Sequence, residues 1–192
     1  MRALAFTPGG LETTQGRIEA KHVVVAAGAW TSQLEGLPRP VPVEPVRGQM
    51  AAAAWPDGTP PAILYGDHTY VLHRNGEAVM GSTMEHAGFE NRTTEAGISQ
   101  IRGGVARLLP ALGHVQPKRA WAGLRPVTPD GRPILGADPD AHGLWYATGH
   151  GRNGVLLAAL TGEIIADLLT TGETDADITP FLPGRFYSDL AS

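Results

Sequence analysis

The 192 residues include no cysteine. That excludes disulfides, thiolate metal sites, a cysteine nucleophile and any cofactor tethered through cysteine. No stretch of about 18 apolar residues exists to span a bilayer, and the N-terminal MRALAFTPGG holds no apolar region of signal-peptide length. A cytoplasmic protein with no membrane contact is the expectation. Neither sign of charge dominates, since 15 Lys+Arg against 19 Asp+Glu leave a net −4, so nothing electrostatic argues for nucleic acid or an anionic surface. The 7 histidines show no i, i+4 pair on a helical pattern and no H-E-x-x-H, which argues against a metal. Serines lack a G-x-S-x-G setting, so nucleophilic hydrolysis is unsupported. Internal repeats and low-complexity tracts are also missing.

What is present is a chain with enough apolar content, 42%, to bury a core of one large domain or one and a half small ones. Its 25 glycines and 16 prolines imply many turns and a sheet-rich fold. Arg2 to Thr7 and Leu11 to Thr14 flank Pro8-Gly9-Gly10 as a hairpin, with a second turn at Gln15-Gly16. Val23 to Ala27 is a continuous apolar run, as expected of a parallel strand covered on both faces, and Gly28 then turns the chain into a short helix containing Trp30. A buried parallel strand needs parallel neighbours, yet nothing N-terminal to it supplies a βαβ unit.

From Val41 to Trp55 the text is strand-like, with Pro42 and Pro45 near its start. Ile63 to Tyr65, Tyr70 to Arg74 and Ala78 to Ser82 continue as an antiparallel meander, the last two joined by an Asn75-Gly76 turn. Ile98, Ile101, Val105, Leu108 and Leu109 share one helical face, capped by Thr93 or Thr94. Lys118 to Arg125, Pro133 to Leu135 and Leu144 to Thr148 read as further strands before an apolar helix ending near Leu169. Gly154, Ala158, Ala159 and Gly162 on that helix predict a closely packed neighbour. The fold class is α+β: a mostly antiparallel sheet with covering helices, plus part of an α/β unit. The expected divisions are 1–40, 41–126 and 127–192.

Two features carry chemistry. Gly149, Gly151 and Gly154 have the G-x-G-x-x-G spacing that brings backbone N–H groups to a ligand at a helix N-terminus, where an electron-rich group is favoured. A pyrophosphate site would need a second parallel strand ending in an acid after the helix. The chain instead runs TTGETDADITPFLPGRF, so a different ligand contact stays open beside the dinucleotide reading. Arg125, in WAGLRPVTPDGRPILG, offers a planar fork suited to a carboxylate, or to an internal acid such as Asp130. Tyr70 is positioned by type to donate a second bond to the same anion, or simply to pack.

Taken together, VVVAAGAW, PVRGQM, the YGDHTYVLHR-to-GSTME hairpin, RAWAGLRPVTPDGRPILG and GHGRNGVLLAALTG resemble the C-terminal half of the flavin-dependent amino-acid oxidases typified by glycine oxidase, sarcosine oxidase and D-amino-acid oxidase. The match is best to the glycine oxidase branch and runs from about Ala3 to Ile178. The resemblance implies FAD as cofactor and oxidation of a small, glycine-like amino acid to an imine with oxygen as acceptor. It places Ala27, Gly28 and Trp30 beside the adenosine half of FAD, and Arg47 and Gly48 near the flavin. Gly149, Gly151, Arg152, Asn153 and Gly154 become contacts of the flavin ring, whose reduced form carries negative charge that a helix N-terminus stabilises. On the substrate side it assigns Arg125 and Tyr70 to the carboxylate, Met84 to an apolar wall, and Arg152 to the pocket's approach. The family's N-terminal ADP fingerprint is not among these residues, so the resemblance implies a partner: a missing N-terminal half, or a second copy in a homodimer. A D-amino-acid or sarcosine dehydrogenase, and an inert domain that binds a partner or a small carboxylate, remain as alternatives.

Overall fold

A computed structural model describes residues 1–187. The chain forms two compact units, one of Met1–Pro45 with the chain from Arg125 onward, the other of Val46–Leu124. The architecture is mixed α+β and mostly antiparallel.

The second unit is built on a five-stranded sheet ordered β6-β7-β8-β5-β9, with β5 at Glu44–Ala54, β6 at Ile63–Gly66, β7 at Thr69–Arg74, β8 at Glu77–Gly81 and β9 at Arg119–Val127. Asn75 and Gly76 join β7 to β8 with φ of +51° and +77°, the left-handed pair that a two-residue hairpin needs. Helix α1, Glu95–Leu108, covers one face. Its N-cap Thr94 accepts a hydrogen bond from the Gly97 amide at 3.1 Å, worth about 1 kcal/mol. Strand alternation sends Ala51, Val71 and Met80, aligned in register across three strands, to the same side. They meet Ile101 and Val105 of α1 in a core closed by Leu112.

The first unit opens with an antiparallel meander, β1 at Ala3–Thr7, β2 at Gly10–Thr13 and β3 at Gly16–Glu19. Its second sheet is ordered β10-β11-β4, with β4 at Val23–Val25, β10 at Ile134–Ala137 and β11 at Leu144–Thr148. Strand β4 runs parallel to β11, Val25 opposite Tyr146. Its parallel neighbour thus comes from the far end of the chain, not from a local βαβ unit. Phe6, Val25, Val41, Val43, Ile134, Leu144 and Tyr146 form the core. The buried Tyr146 hydroxyl donates to Asp138 at 2.8 Å, as a buried phenol requires.

Two expectations fail here. Val23–Ala27 is not covered on both faces: β4 is an edge strand, with Val24 and Ala26 exposed. The terminal helix α2, Gly154–Thr170, buries only Ile164 and Ile165, and among the described residues Ala158, Ala159 and Gly162 have no close cover. All three are exposed, while Val155 and Leu156 stand 96% and 81% open. Among the described residues no helix is long and apolar enough to cross a membrane.

Candidate functional site

In the first unit, the parallel strands β4 and β11 both end in glycine turns, and ligands of parallel sheets bind beyond such carboxyl ends. Gly28 has φ +55°, Gly149 φ +76° and Gly151 φ +56°, a region where side chains are strained. The two turns are joined by a buried pair of hydroxyls. Thr31 donates to the Gly28 carbonyl at 2.8 Å, and Thr148 Oγ1 lies 2.8 Å from Thr31 Oγ1. Sequence reasoning passed over both threonines. The available signal was position, one ending a strand before a glycine turn and the other three residues after a glycine.

Beyond Gly149 the chain enters α2. Asn153 occupies the N-cap without making a side-chain cap bond, so its side chain satisfies none of the helix's leading amides, whose partial positive charge favours an electron-rich group. Arg152 and Asn153 are exposed beside them, and Gly154 opens the helix. His150, inside the turn, is tied to α2 through Thr161 at 3.0 Å, and burial lowers its pKa. The Gly151 amide donates to the Pro126 carbonyl at 2.7 Å, which fastens the turn to the end of β9, immediately beside Arg125. Asp130, the acid the sequence offered to Arg125, takes both carboxylate oxygens to Arg185 at 2.8 and 3.2 Å.

Ala27 and Trp30 line an open cleft of about 490 Å³ with Arg2, Ala3, Gln33 and Leu34. Trp30 is 49% exposed there. The structure therefore brings Ala27, Gly28 and Trp30 to one turn and Gly149 to Gly154 to the adjoining one.

Tyr70, Met84, Arg47 and Gly48 lie in the second unit. Tyr70 is half-buried on β7, opposite Gly81 of β8, with its hydroxyl 3.6 Å from Met50 Sδ. Gly81 leaves the room that the ring takes, since a Cβ there would come 2.8 Å from Tyr70 Oη. Met84 follows β8 and is 65% exposed. Gly48 is buried in β5. Arg47 is buried too: Nη2 donates to Glu85 at 2.6 Å, and Nη1 to the Glu90 carboxylate at 3.0 Å and carbonyl at 3.2 Å. Burial pushes the Glu85 pKa up, but hydrogen bonds from Thr83, Arg47 and Gln49 outweigh it and hold the carboxyl below its ordinary value. Among the described residues no group of three or more His, Asp or Glu is placed to hold a metal ion.

The chain as a whole has relatives among known proteins. The model of a family described as FAD dependent oxidoreductase matches residues 2–168. Glycine oxidase of Pseudomonas aeruginosa is 40% identical over 178 residues, 91% of this chain and 48% of that protein. The bifunctional protein ThiO/ThiG of Trichormus variabilis is 38% identical over 188 residues, 95% of this chain and 28% of that protein. The crystal structure of glycine oxidase from Geobacillus kaustophilus matches with a TM-score of 0.85 at 34% identity, covering 92% of this chain and 48% of that one. The chain spans about half the length of the glycine oxidases it matches. With the model matched across most of its length and the fold matched as well, the chain belongs to the FAD dependent oxidoreductase family, alongside the glycine oxidases.

Proposed function

We propose that this chain carries the flavin-ring and substrate residues of an oxidase that converts a small, glycine-like amino acid to an imine with oxygen as acceptor. The observation that carries the reading is the Gly151 to Pro126 hydrogen bond of 2.7 Å, because it fastens the glycine turn to the strand end that bears Arg125. An amino acid's carboxylate and an electron-rich cofactor edge then have their binding groups on adjoining backbone.

The residues present fit FAD. Gly149 and Gly151 hold a conformation that side chains resist, and α2 begins without a side-chain cap, features that suit the electron-rich edge of a flavin. Gly151, Arg152, Asn153 and Gly154 are assigned to the ring, and Ala27, Gly28 and Trp30 to the adenosine side. When bound, FAD supplies a hydride acceptor. The amino acid loses a hydride from its α-carbon and a proton from its nitrogen, and oxygen takes up both as hydrogen peroxide. Water then hydrolyses the imine.

Arg125 is assigned to the substrate carboxylate through two parallel hydrogen bonds, and Tyr70 to a further one, so that catalysis is mostly positioning. Met84 is assigned to an apolar wall that excludes water, and Arg152 to the approach of the substrate. No side-chain base is required. The open apolar face of α2 supports self-association of the 192-residue chain as a two-fold dimer.

Colour and peroxide test the oxidase reading. A chain that takes up FAD and releases peroxide with glycine supports it. A chain that binds glycolate yet releases no peroxide when loaded with FAD favours a carboxylate-binding domain. A chain that binds neither glycolate nor FAD overturns both.

A further inference from the structure

Strands β5 and β8 pair in register from Ala54 opposite Glu77 to Met50 opposite Gly81. Beyond that point Arg47 faces Glu85 in an isolated antiparallel bridge, each amide donating to the other's carbonyl at 2.9 Å. Met50 to Arg47 is three steps and Gly81 to Glu85 is four, so residues 82–84 absorb one extra residue as a β-bulge. Such a bulge breaks the ladder and re-aims a side chain.

The break is repaired by side chains. The Gln49 amide donates to Thr83 Oγ1 at 2.9 Å. Thr83 Oγ1 donates to Glu85 Oε1, which also accepts from Gln49 Nε2 at 2.7 Å, while Arg47 holds Oε2 at 2.6 Å. Gln49 reaches the other way as well, giving its second N–H to Thr94 Oγ1 at 3.0 Å and accepting from the Thr94 amide at 2.7 Å. Gly97 makes room for this, since a Cβ there would come 2.2 Å from Gln49 Nε2. Both neighbours of Met84 are therefore anchored, from β5 to the cap of α1, while Met84 itself stands in the open.

We propose that Glu85, with Arg47, Gln49 and Thr83, is a positioning unit that holds the 82–84 bulge so that Met84 is presented at a fixed height to the ligand, and that it thereby sets how large a substrate side chain is accepted. This rests on the reading of Met84 as an apolar wall of the substrate pocket. Arg47 is then a brace within the second unit, and its part in recognition is played through Met84. A fixed apolar wall discriminates about tenfold or more per methylene, and a loosened one gives part of that away.

The test uses the chain's four methionines, Met1, Met50, Met80 and Met84, labelled with carbon-13 at their methyl groups, with Met84→Leu to assign the relevant signal. Glycolate should shift the Met84 methyl in the unaltered chain. In Glu85→Gln the Met84 methyl should move or broaden while the core Met80 methyl stays in place, and the preference for glycolate over 2-hydroxybutyrate should fall several-fold. If Glu85→Gln does not fold, as judged by Met80, Thr83→Val is read by the same two measures. A folded variant with unchanged Met84 signal and unchanged preference overturns the proposal, and so does a moved signal with unchanged preference, which would make the brace merely structural. Glycolate that leaves Met84 unmoved in the unaltered chain overturns the pocket reading itself, and the proposal with it.

Discussion

Replacing Gly149 by alanine asks whether the turn needs glycine for its backbone, for its space, or for both. With φ at +76°, a side chain there costs about 1–2 kcal/mol. The new Cβ would also sit 2.6 Å from Thr128 Cγ2 and 3.5 Å from the Ile134 amide. Thr128 is buried and its hydroxyl is committed to the Arg132 carbonyl at 2.7 Å, so it cannot swing away without breaking that bond. Overpacking of this kind costs about 1–3 kcal/mol, for a total of roughly 2–5 kcal/mol. For a chain of this size that lowers the melting temperature by roughly 4–20 °C. Gly151→Ala is the control. Its φ is +56° but its Cβ would meet nothing closer than 4.0 Å, so only the backbone cost of about 1–2 kcal/mol applies. Denaturant melts of both variants, and of Gly149→Ala with Thr128→Ser, separate the two contributions, since serine keeps the hydroxyl and removes the clashing methyl. Equal losses for Gly149→Ala and Gly151→Ala, with no rescue by serine, would refute the close-approach argument.

In a chain kept monomeric, Ala158→Leu should leave the melting temperature unchanged, because Ala158 is exposed on α2; a loss of several degrees would mean that another segment of the chain packs there. Light scattering should report a mass above the 20.2 kDa chain, and Leu156→Glu, at an exposed apolar position of α2, should return it to the monomer; a monomer from the outset contradicts self-association. The Arg185 guanidinium, helped by the Arg132 amide, holds the Asp130 carboxyl down at about 2 against burial. Its ordinary value is about 3.9. A carboxyl depressed in the folded state stabilises it above the unfolded value, and that contribution disappears as pH falls from about 4 to about 2. The stability gap between the parent chain and Asp130→Asn, measured by denaturant melts across that window, should shrink toward the acid end, and a constant gap would contradict the ion pair.

How much of this was legible beforehand depended on whether the cause was local. Asn75-Gly76 could be read because left-handed φ at both positions is a demand on residue type. Helix α1 could be read because Ile98, Ile101 and Val105 repeat at helical spacing behind a threonine cap. The glycine turn at 149–154 was visible for the same reason as the hairpin. The pairing of β4 with β11 was not, because a parallel partner some 120 residues away in sequence leaves no local trace, and Val23–Ala27 was accordingly expected to be covered on both faces. The small residues of α2 predict close packing, yet small residues permit a neighbour without supplying one. The brace around Met84 was hidden because it depends on a one-residue slip between strands, and Gln49 and Glu85 acquire their meaning only once that slip brings them together. The site's family could be read from the order of its motifs. The hydroxyls of Thr31 and Thr148, which join its two turns, required the fold.

Calorimetric titration decides whether Arg125, beside the glycine turn, builds a carboxylate site. Glycolate should bind the 192-residue chain, glycolamide, which has lost the charge, should not, and Arg125→Lys should weaken glycolate by about 1–3 kcal/mol because a fork becomes a point charge. Equal affinity of glycolate for the parent chain and Arg125→Lys, or equal affinity of the parent chain for glycolate and glycolamide, would contradict such a site.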